Sequence, residues 1–188
     1  FYYVASAYSQ MGRKDIAEEF YKKSFKTDEK NILSGVNVAK FLYEEGHINE
    51  SENLCLKLLK LTESDEVLYL LGEIAYIKND IDSAIKYYSY AIKINPQNAM
   101  YYFKLAIVFS LKGFFKEAEE SYCKAIVIEP ENTVYNYALA YMYYMNNKMD
   151  LSERLVDYIL SLEPENSQAL SLKALLLINR NEVILAGN

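Results

Sequence analysis

The stretch DEVLYLLGEIAYIKNDIDSAIKYYSYAIKINPQN at residues 65–98 contains the pattern that decides the fold. Apolar residues recur every three or four positions before Asn79 and again after it, which is the spacing of an amphipathic helix. Asparagine enters the left-handed conformation that ends a helix at low cost. The stretch therefore predicts two antiparallel helices joined by a tight turn at Asn79.

The same pattern recurs along the whole chain with a period of 34 residues. Pro96, Pro130 and Pro164 stand in the matching frames INPQN, IEPEN and LEPEN. Repeats of roughly 20 to 50 residues build arrays in which each repeat packs on its neighbours. The repeat at 32–64 is one residue short, which we assign to the loop around Thr62–Ser64. The period divides the chain into repeats at 1–31, 32–64, 65–98, 99–132, 133–166 and a partial repeat at 167–188.

Several columns of similar residues recur within the repeats. Residues that adopt a left-handed turn form one column, and residues that cap a helix N-terminus form another. Small residues form a column in each helix, where the paired helices must approach closely. The turn column is Gly12, Gly46, Asn79, Gly113, Asn147 and Asn181, and the capping column is Asn31, Ser64, Asn98, Asn132 and Asn166. The small columns are Ala5, Ala39, Gly72, Ala106, Ala140 and Ala174, and Ala17, Ser51, Ala84, Ala118, Ser152 and Ala186.

Two further columns predict how the helices pack. Large apolar residues in the first helices predict a core column at Val4, Val38, Leu71, Leu105 and Leu139. A later column of the second helices is mostly small, but it holds Leu58 and Ile159 in two of the repeats. A large side chain at a helix crossing separates the helix axes, so we expect local rearrangement there.

These columns resemble the tetratricopeptide repeat (TPR) family over essentially the whole chain. The family's signature sites are occupied in the quoted stretch by Leu71, Gly72, Ala84, Tyr88, Ala91 and Pro96. The resemblance implies an all-α fold, a right-handed superhelical solenoid of antiparallel helix pairs, with the first helices lining the concave face. The chain departs from the family at Glu29 and Glu63, where proline is expected.

Composition excludes several classes of function. The chain has 20 basic and 26 acidic residues and a net charge of −6, which disfavours nucleic-acid binding because phosphate contacts require an excess of cations. No apolar run reaches the roughly 18 residues of a membrane span, so we expect no membrane insertion. Two distant cysteines indicate a reducing compartment, and we expect the cytoplasm. Because the chain begins with Phe1 inside a predicted helix, we expect that the natural N-terminus is missing.

The side chains that carry chemistry are few. His47 is the sole histidine and follows the predicted turn at Gly46, so we expect an exposed turn residue. Cys55 and Cys123 are expected to be buried and inert. No pair of cysteine and histidine has zinc-site spacing, and no glycine-rich phosphate loop is present. The sequence therefore predicts no catalytic residue, no metal, no cofactor and no enzyme activity.

Seven of the 19 tyrosines fall on one side of the first helices. Positions spaced i, i+4 and i+7 on the side away from the core column form a stripe in each repeat. We predict that these stripes are solvent-exposed and bind an apolar or amphipathic peptide segment, since tyrosine gives a large rigid contact area and a hydroxyl. The predicted peptide-binding residues are Tyr43, Tyr69, Tyr76, Phe103, Ile107, Tyr137, Tyr141 and Tyr144. Two alternatives are that the aromatic rings pack on one another, or that another segment of a parent protein fills the groove.

The predicted function is a non-catalytic scaffold or adaptor that binds a protein or peptide partner. One alternative is the docking arm of a larger enzyme, such as a glycosyltransferase or a methyltransferase. Another is self-association through open ends, because the apolar residues Val183, Ile184 and Leu185 follow the last complete helix pair. The Lys/Asn clamp with which some TPR proteins bind chaperone tails is not present as a set, since this face offers Lys40 with Asn37 and Lys104 at flanking positions.

Overall fold

The computed structural model describes residues 1–27 and 32–186, and within these ranges it contains eleven α-helices and no strand. The helices pack in sequence order as hairpins, with α11 following the last pair. Their bounds are α1 Tyr2–Gln10, α2 Lys14–Thr27, α3 Ile32–Glu44, α4 Ile48–Leu59, α5 Asp65–Ile77, α6 Ile81–Ile94, α7 Ala99–Leu111, α8 Phe115–Ile128, α9 Thr133–Met145, α10 Met149–Leu162 and α11 Ser167–Ala186. Each of the first five predicted repeats contains one helix pair, and the partial repeat at 167–188 contains α11 alone.

The chain forms two compact units, at 1–96 and 97–188. The N-terminal unit contains the hairpins α1/α2, α3/α4 and α5/α6, and its core includes Leu58, Leu71 and Ile74. The C-terminal unit contains α7/α8, α9/α10 and α11, and its core includes Tyr122 and Leu172. The boundary falls two residues before α7, next to a predicted repeat border. A single solenoid over 1–188 stays a prediction.

The turn column is confirmed at its first five positions. Gly12, Gly46, Asn79, Gly113 and Asn147 all have positive φ, from 59° to 82°. At the α5/α6 turn the Asp80 N–H donates to the Ala75 carbonyl at 2.9 Å, and the Asn79 N–H donates to Tyr76 at 2.9 Å. This pair of bonds is the Schellman arrangement that ends a helix at a left-handed residue.

The capping column is confirmed at four of its five positions. The Ser64 hydroxyl accepts a hydrogen bond from the Val67 N–H at the start of α5. Asn98 caps α7, Asn132 caps α9, and the Asn166 side chain accepts from the Ala169 N–H at 3.0 Å. Asn31 and Glu29 lie outside the described residues. These caps satisfy N–H groups that a helix leaves unpaired at its start.

The predicted turn at Asn181 is wrong. The helix α11 continues without interruption from Ser167 to Ala186, because asparagine inside a helix costs only about 0.7 kcal/mol relative to alanine. Ala174 is exposed, unlike the other small residues of its column, since no described helix follows α11 to cover it. The side chains of Ala186, Val183, Ile184 and Leu185 lie outside the described residues.

The core and small columns are otherwise buried, with one further correction. Val4 is exposed, whereas Val38, Leu71, Leu105 and Leu139 are buried, because no described helix precedes α1 to cover Val4. Leu58 and Ile159 are fully buried. The local rearrangement expected at these two helix crossings stays a prediction.

The repeat at 32–64 is one residue short because its second helix is shorter than the others, and not because its loop is shorter. The helix α4 has 12 residues, whereas α6, α8 and α10 have 14 each. It ends at Leu59, so the segment that leads to α5 is not shorter than its counterparts. This corrects the assignment to the loop around Thr62–Ser64.

Candidate functional site

The stripe of the N-terminal unit is organised around a buried carboxylate. Glu73 of α5 is nine-tenths buried and accepts a hydrogen bond from the phenol of Tyr88 in α6. The Tyr69 ring lies against Tyr88, with 6.0 Å between the ring centroids. Burial raises the pKa of Tyr43, and the charge of Glu73 raises it further. Glu73 therefore belongs to the core of this unit, and it does not stand in an open groove.

The structure places the three predicted tyrosines of this unit differently. Tyr43 is half-buried against the core cluster, and Tyr69 is half-buried as well. Tyr76 is 39% exposed. Lys40 forms an ion pair with Glu66 at 2.8 Å, and the Asn37 amide donates to the Leu33 carbonyl of its own helix. Two of the three side chains considered for a carboxylate clamp are thus held by partners within the unit.

The stripe of the C-terminal unit is a ladder of tyrosines along α9. We call Tyr137, Tyr141 and Tyr144 the tyrosine ladder. Their ring centroids lie 6.2 Å and 6.4 Å apart, with angles of 23° and 32° between the successive ring planes. Tyr137 and Tyr144 pack against the cluster that contains Leu172 and Leu176 of α11, whereas Tyr141 is 44% exposed.

The helix α11 holds the C-terminal end of the ladder in place. The Asn179 amide donates a hydrogen bond to the Tyr144 phenol oxygen at 3.1 Å.

Burial raises the pKa of Tyr137, and the neighbouring Tyr141 contributes in the same direction. The Tyr137 phenol therefore keeps its proton at neutral pH, so it can donate a hydrogen bond.

The two predicted residues of α7 are largely structural. The Phe103 ring lies 4.7 Å from the Tyr135 ring and 6.0 Å from the Tyr122 ring, measured between centroids. Ile107 packs on the cluster that contains Leu139. Both side chains are half-buried. The expectation that the whole stripe is exposed therefore holds only for Tyr76 and Tyr141, because the other six rings and side chains pack against neighbouring helices.

The stripe continues on α11, which the sequence reasoning missed. Leu175 and Ile178 stand 34 residues after Tyr141 and Tyr144, and they are 43% and 55% exposed. The 34-residue period alone could have found them. The predicted stripe ends at Tyr144 because 167–188 is only a partial repeat in the sequence.

The residues considered for chemistry are dispersed. His47 is exposed at the start of α4, as predicted, with its Nδ1 atom 3.4 Å from Glu50. Cys55 is fully buried, and burial raises the pKa of its thiol to about 12. Cys123 is exposed, so the prediction of a buried thiol is wrong. Cys123 directly follows the buried Tyr122 in α8, and consecutive side chains of a helix point in different directions. Among the described residues, no group of three or more histidine, cysteine and acidic side chains could hold a metal.

None of the described helices is both long enough and apolar enough to cross a bilayer.

The fold defines a class of protein, the helical-hairpin repeat proteins. Residues 72–113 match the family described as TPR repeat, and residues 2–31 match the family described as tetratricopeptide repeat. Residues 2–31 and 72–113 are therefore tetratricopeptide repeats. The prediction of an all-α helical repeat solenoid is thereby confirmed.

Solved structures of several repeat proteins share this fold. The crystal structure of MamA is 25% identical, with a TM-score of 0.71 over 91% of this chain and 95% of that chain. YrrB, described as a TPR protein with an unusual peptide-binding site, is 17% identical, with a TM-score of 0.74 over 92% and 90%. PilF of Pseudomonas aeruginosa is 16% identical, with a TM-score of 0.83 over 99% and 85%. No curated protein sequence matches the chain significantly.

Proposed function

We propose that this protein is a non-catalytic scaffold that binds an apolar or amphipathic segment of a partner protein on the tyrosine ladder of α9. The observation that carries the proposal is the exposed side of this ladder, where Tyr141 stands 44% exposed between two packed tyrosine rings. Leu175 and Ile178 extend the exposed apolar surface onto α11.

The energetics of tyrosine support a binding role. Tyrosine is enriched among the residues that dominate protein interfaces, because its ring is large and rigid and loses little entropy on binding. Tyr137 and Tyr144 are already held by packing and by Asn179. A ligand that contacts the ladder therefore meets a preorganised surface, which lowers the cost of association.

The fold supports a scaffold rather than an enzyme. Helical repeat proteins present extended surfaces for partners, and the structurally similar YrrB is described as having a peptide-binding site. His47, Cys55 and Cys123 lie in three different settings, namely a turn, the core and an exposed helix face. Catalysis requires such groups within hydrogen-bond reach of one another. The net charge of −6 favours a protein partner over a nucleic acid.

The test compares single substitutions at two tyrosines of nearly equal exposure. Tyr141→Ala removes the exposed ring of the ladder, and Tyr90→Ala removes a 42% exposed ring on the second helix α6. Proteins captured from a native lysate by the wild-type chain are purified, and their affinities for both variants are measured by calorimetry. We expect Tyr141→Ala to weaken binding by more than about 1 kcal/mol and Tyr90→Ala to leave it unchanged. Equal affinities for the wild type and Tyr141→Ala would exclude the ladder as the interface.

Self-association is a second candidate function, favoured by exposed apolar side chains near both ends of the described chain. Val4 of α1 and Met11, which follows α1, are exposed, as are Leu170 and Leu177 of α11. A cavity of about 300 Å³ lies beside Leu177, between α10 and α11. Association through these surfaces would raise the mean mass with protein concentration, which sedimentation velocity measures. The mass of a single chain at every concentration would contradict this candidate.

A further inference from the structure

The tyrosine ladder lies on a helix without charged side chains. The sequence of α9, TVYNYALAYMYYM, contains no aspartate, glutamate, lysine or arginine. On α11, Lys173 is held by ion pairs with Glu153 and Asp157 of α10, at 2.7 and 2.8 Å. A charged ligand side chain placed on the ladder would lose hydration without gaining an opposite charge from α9. The ladder therefore matches an uncharged segment.

The phenols of the ladder are available as hydrogen-bond donors. Tyr144 accepts its bond from Asn179, so its own proton remains free to donate. The hydroxyls of Tyr137 and Tyr141 make no hydrogen bond with any residue in the described part of the chain, although their rings contact each other. Three donors thus follow one another along one side of α9.

Donors in a row distinguish between two conformations of a bound segment. In a helical ligand the backbone carbonyls are already paired inside the helix, so the phenols would gain no partner from its backbone. An extended ligand has unpaired carbonyls and repeats every two residues, at roughly 6.4 to 6.8 Å. The rings of the ladder are spaced at 6.2 and 6.4 Å. The spacing of the rings is therefore close to the two-residue repeat of an extended chain.

We infer that the tyrosine ladder binds an uncharged peptide segment in an extended conformation, which runs along α9 and accepts hydrogen bonds from the phenols to its backbone carbonyls. Its alternate side chains are apolar and pack on the rings, with Leu175 and Ile178 of α11 as further contacts. This inference rests on the proposed function, because it names the conformation and the chemistry of the segment bound at the same site.

The experiment uses peptides selected from a random twelve-residue display library on the 188-residue chain. Peptides that bind the wild type and not Tyr141→Ala are synthesised, and their dissociation constants are measured for the wild type and for Tyr137→Phe/Tyr141→Phe. The phenylalanine variant keeps both rings and removes only the hydroxyls, and Tyr90→Phe is the matched control. Circular dichroism of the bound peptide reports whether it is helical.

We expect the selected peptides to be poor in charged residues and to show no helical signal when bound. The double phenylalanine variant should bind them roughly tenfold more weakly, since each hydrogen bond to a neutral group is worth about a two- to tenfold change. Equal binding by this variant, a helical bound peptide, or a selection of charged peptides would overturn the extended, uncharged segment while leaving the proposed function standing. Failure to select any peptide that Tyr141→Ala loses would count against the proposed function itself.

Discussion

The phenol of Tyr88 donates a hydrogen bond of 2.5 Å to the carboxylate of Glu73, which joins the two helices of the α5/α6 hairpin. Tyr88 is fully buried, and burial together with the nearby carboxylate raises its pKa far above the ordinary value. The phenol therefore keeps its proton and stabilises a buried acid. The bond gives a partner to the acidic residue that stands between Tyr69 and Tyr76 in the stripe of α5.

Tyr88→Phe should destabilise the protein by roughly 1.5 to 3 kcal/mol, the worth of a hydrogen bond to a charged group. The ring and its packing remain, so the loss isolates the hydroxyl. Tyr87→Phe is the control, because Tyr87 is half-buried against the same core and has no hydrogen bond to a described side chain. Urea unfolding of both variants measures the difference. A loss for Tyr88→Phe no larger than that for Tyr87→Phe would show that the bond adds nothing to stability.

Gly72→Ala should also destabilise the α5/α6 hairpin, although alanine favours a helix by about 1 kcal/mol over glycine. A Cβ atom at position 72 would lie 2.6 Å from Cδ1 of the Tyr88 ring, and the ring has no free space because Tyr88 is fully buried. Overpacking of this kind costs about 1 to 3 kcal/mol. Thermal unfolding measures the change in Tm.

The matched test is the same substitution in a Tyr88→Leu background. The smaller side chain should remove the overlap, so Gly72→Ala should there be neutral or stabilising. The same loss in both backgrounds would show that Tyr88 is not the obstacle.

Gly113→Val tests the turn column without any effect from packing. Gly113 has a φ of 78°, and a Cβ atom there would meet no atom within 4 Å. The expected loss of about 1 to 2 kcal/mol therefore comes from the left-handed backbone alone. Asn79→Gly, at a φ of 59°, is the opposite change and should cost little or nothing. An unchanged Tm for Gly113→Val would contradict the turn assignment.

Most of the fold could be predicted from the sequence because its determinants are local and repeated. Each turn residue with positive φ and each described capping residue was identifiable by residue type and by the 34-residue period. Apart from the residue that is missing from α4, the errors in the fold concern Val4, Ala174 and Asn181, near the two ends of the described chain. Whether Val4 and Ala174 are covered, and whether α11 continues through Asn181, depends on neighbouring helices that the period cannot supply.

For the candidate site, the sequence could predict the helix face but not the contacts of its side chains. The period correctly placed the tyrosines of α9 on one side of a helix. It could not show that Phe103 packs on Tyr122 and Tyr135, or that Glu73 is bound by Tyr88, because these contacts depend on the distances between helices. Side-chain type alone does not separate an exposed ring from one that a neighbouring helix covers.

The carboxylate of Glu119 should make stability depend on pH in the acid range. It accepts hydrogen bonds from Lys148 and Tyr143, both at 2.7 Å, and these lower its pKa below the ordinary value near 4.5. A pKa that is lower in the folded state than in the unfolded state contributes stability above pH 4.5, and this contribution is lost as the pH falls through the folded pKa. Glu119→Gln should therefore be less stable than the wild type at pH 7, by up to about 1 kcal/mol for a surface pair, and urea unfolding should show this difference shrinking as the pH falls below 4.5. The exposed neighbour Glu120→Gln is the control, and a Glu119→Gln difference that stays constant from pH 7 to pH 3 would refute the role of this carboxylate.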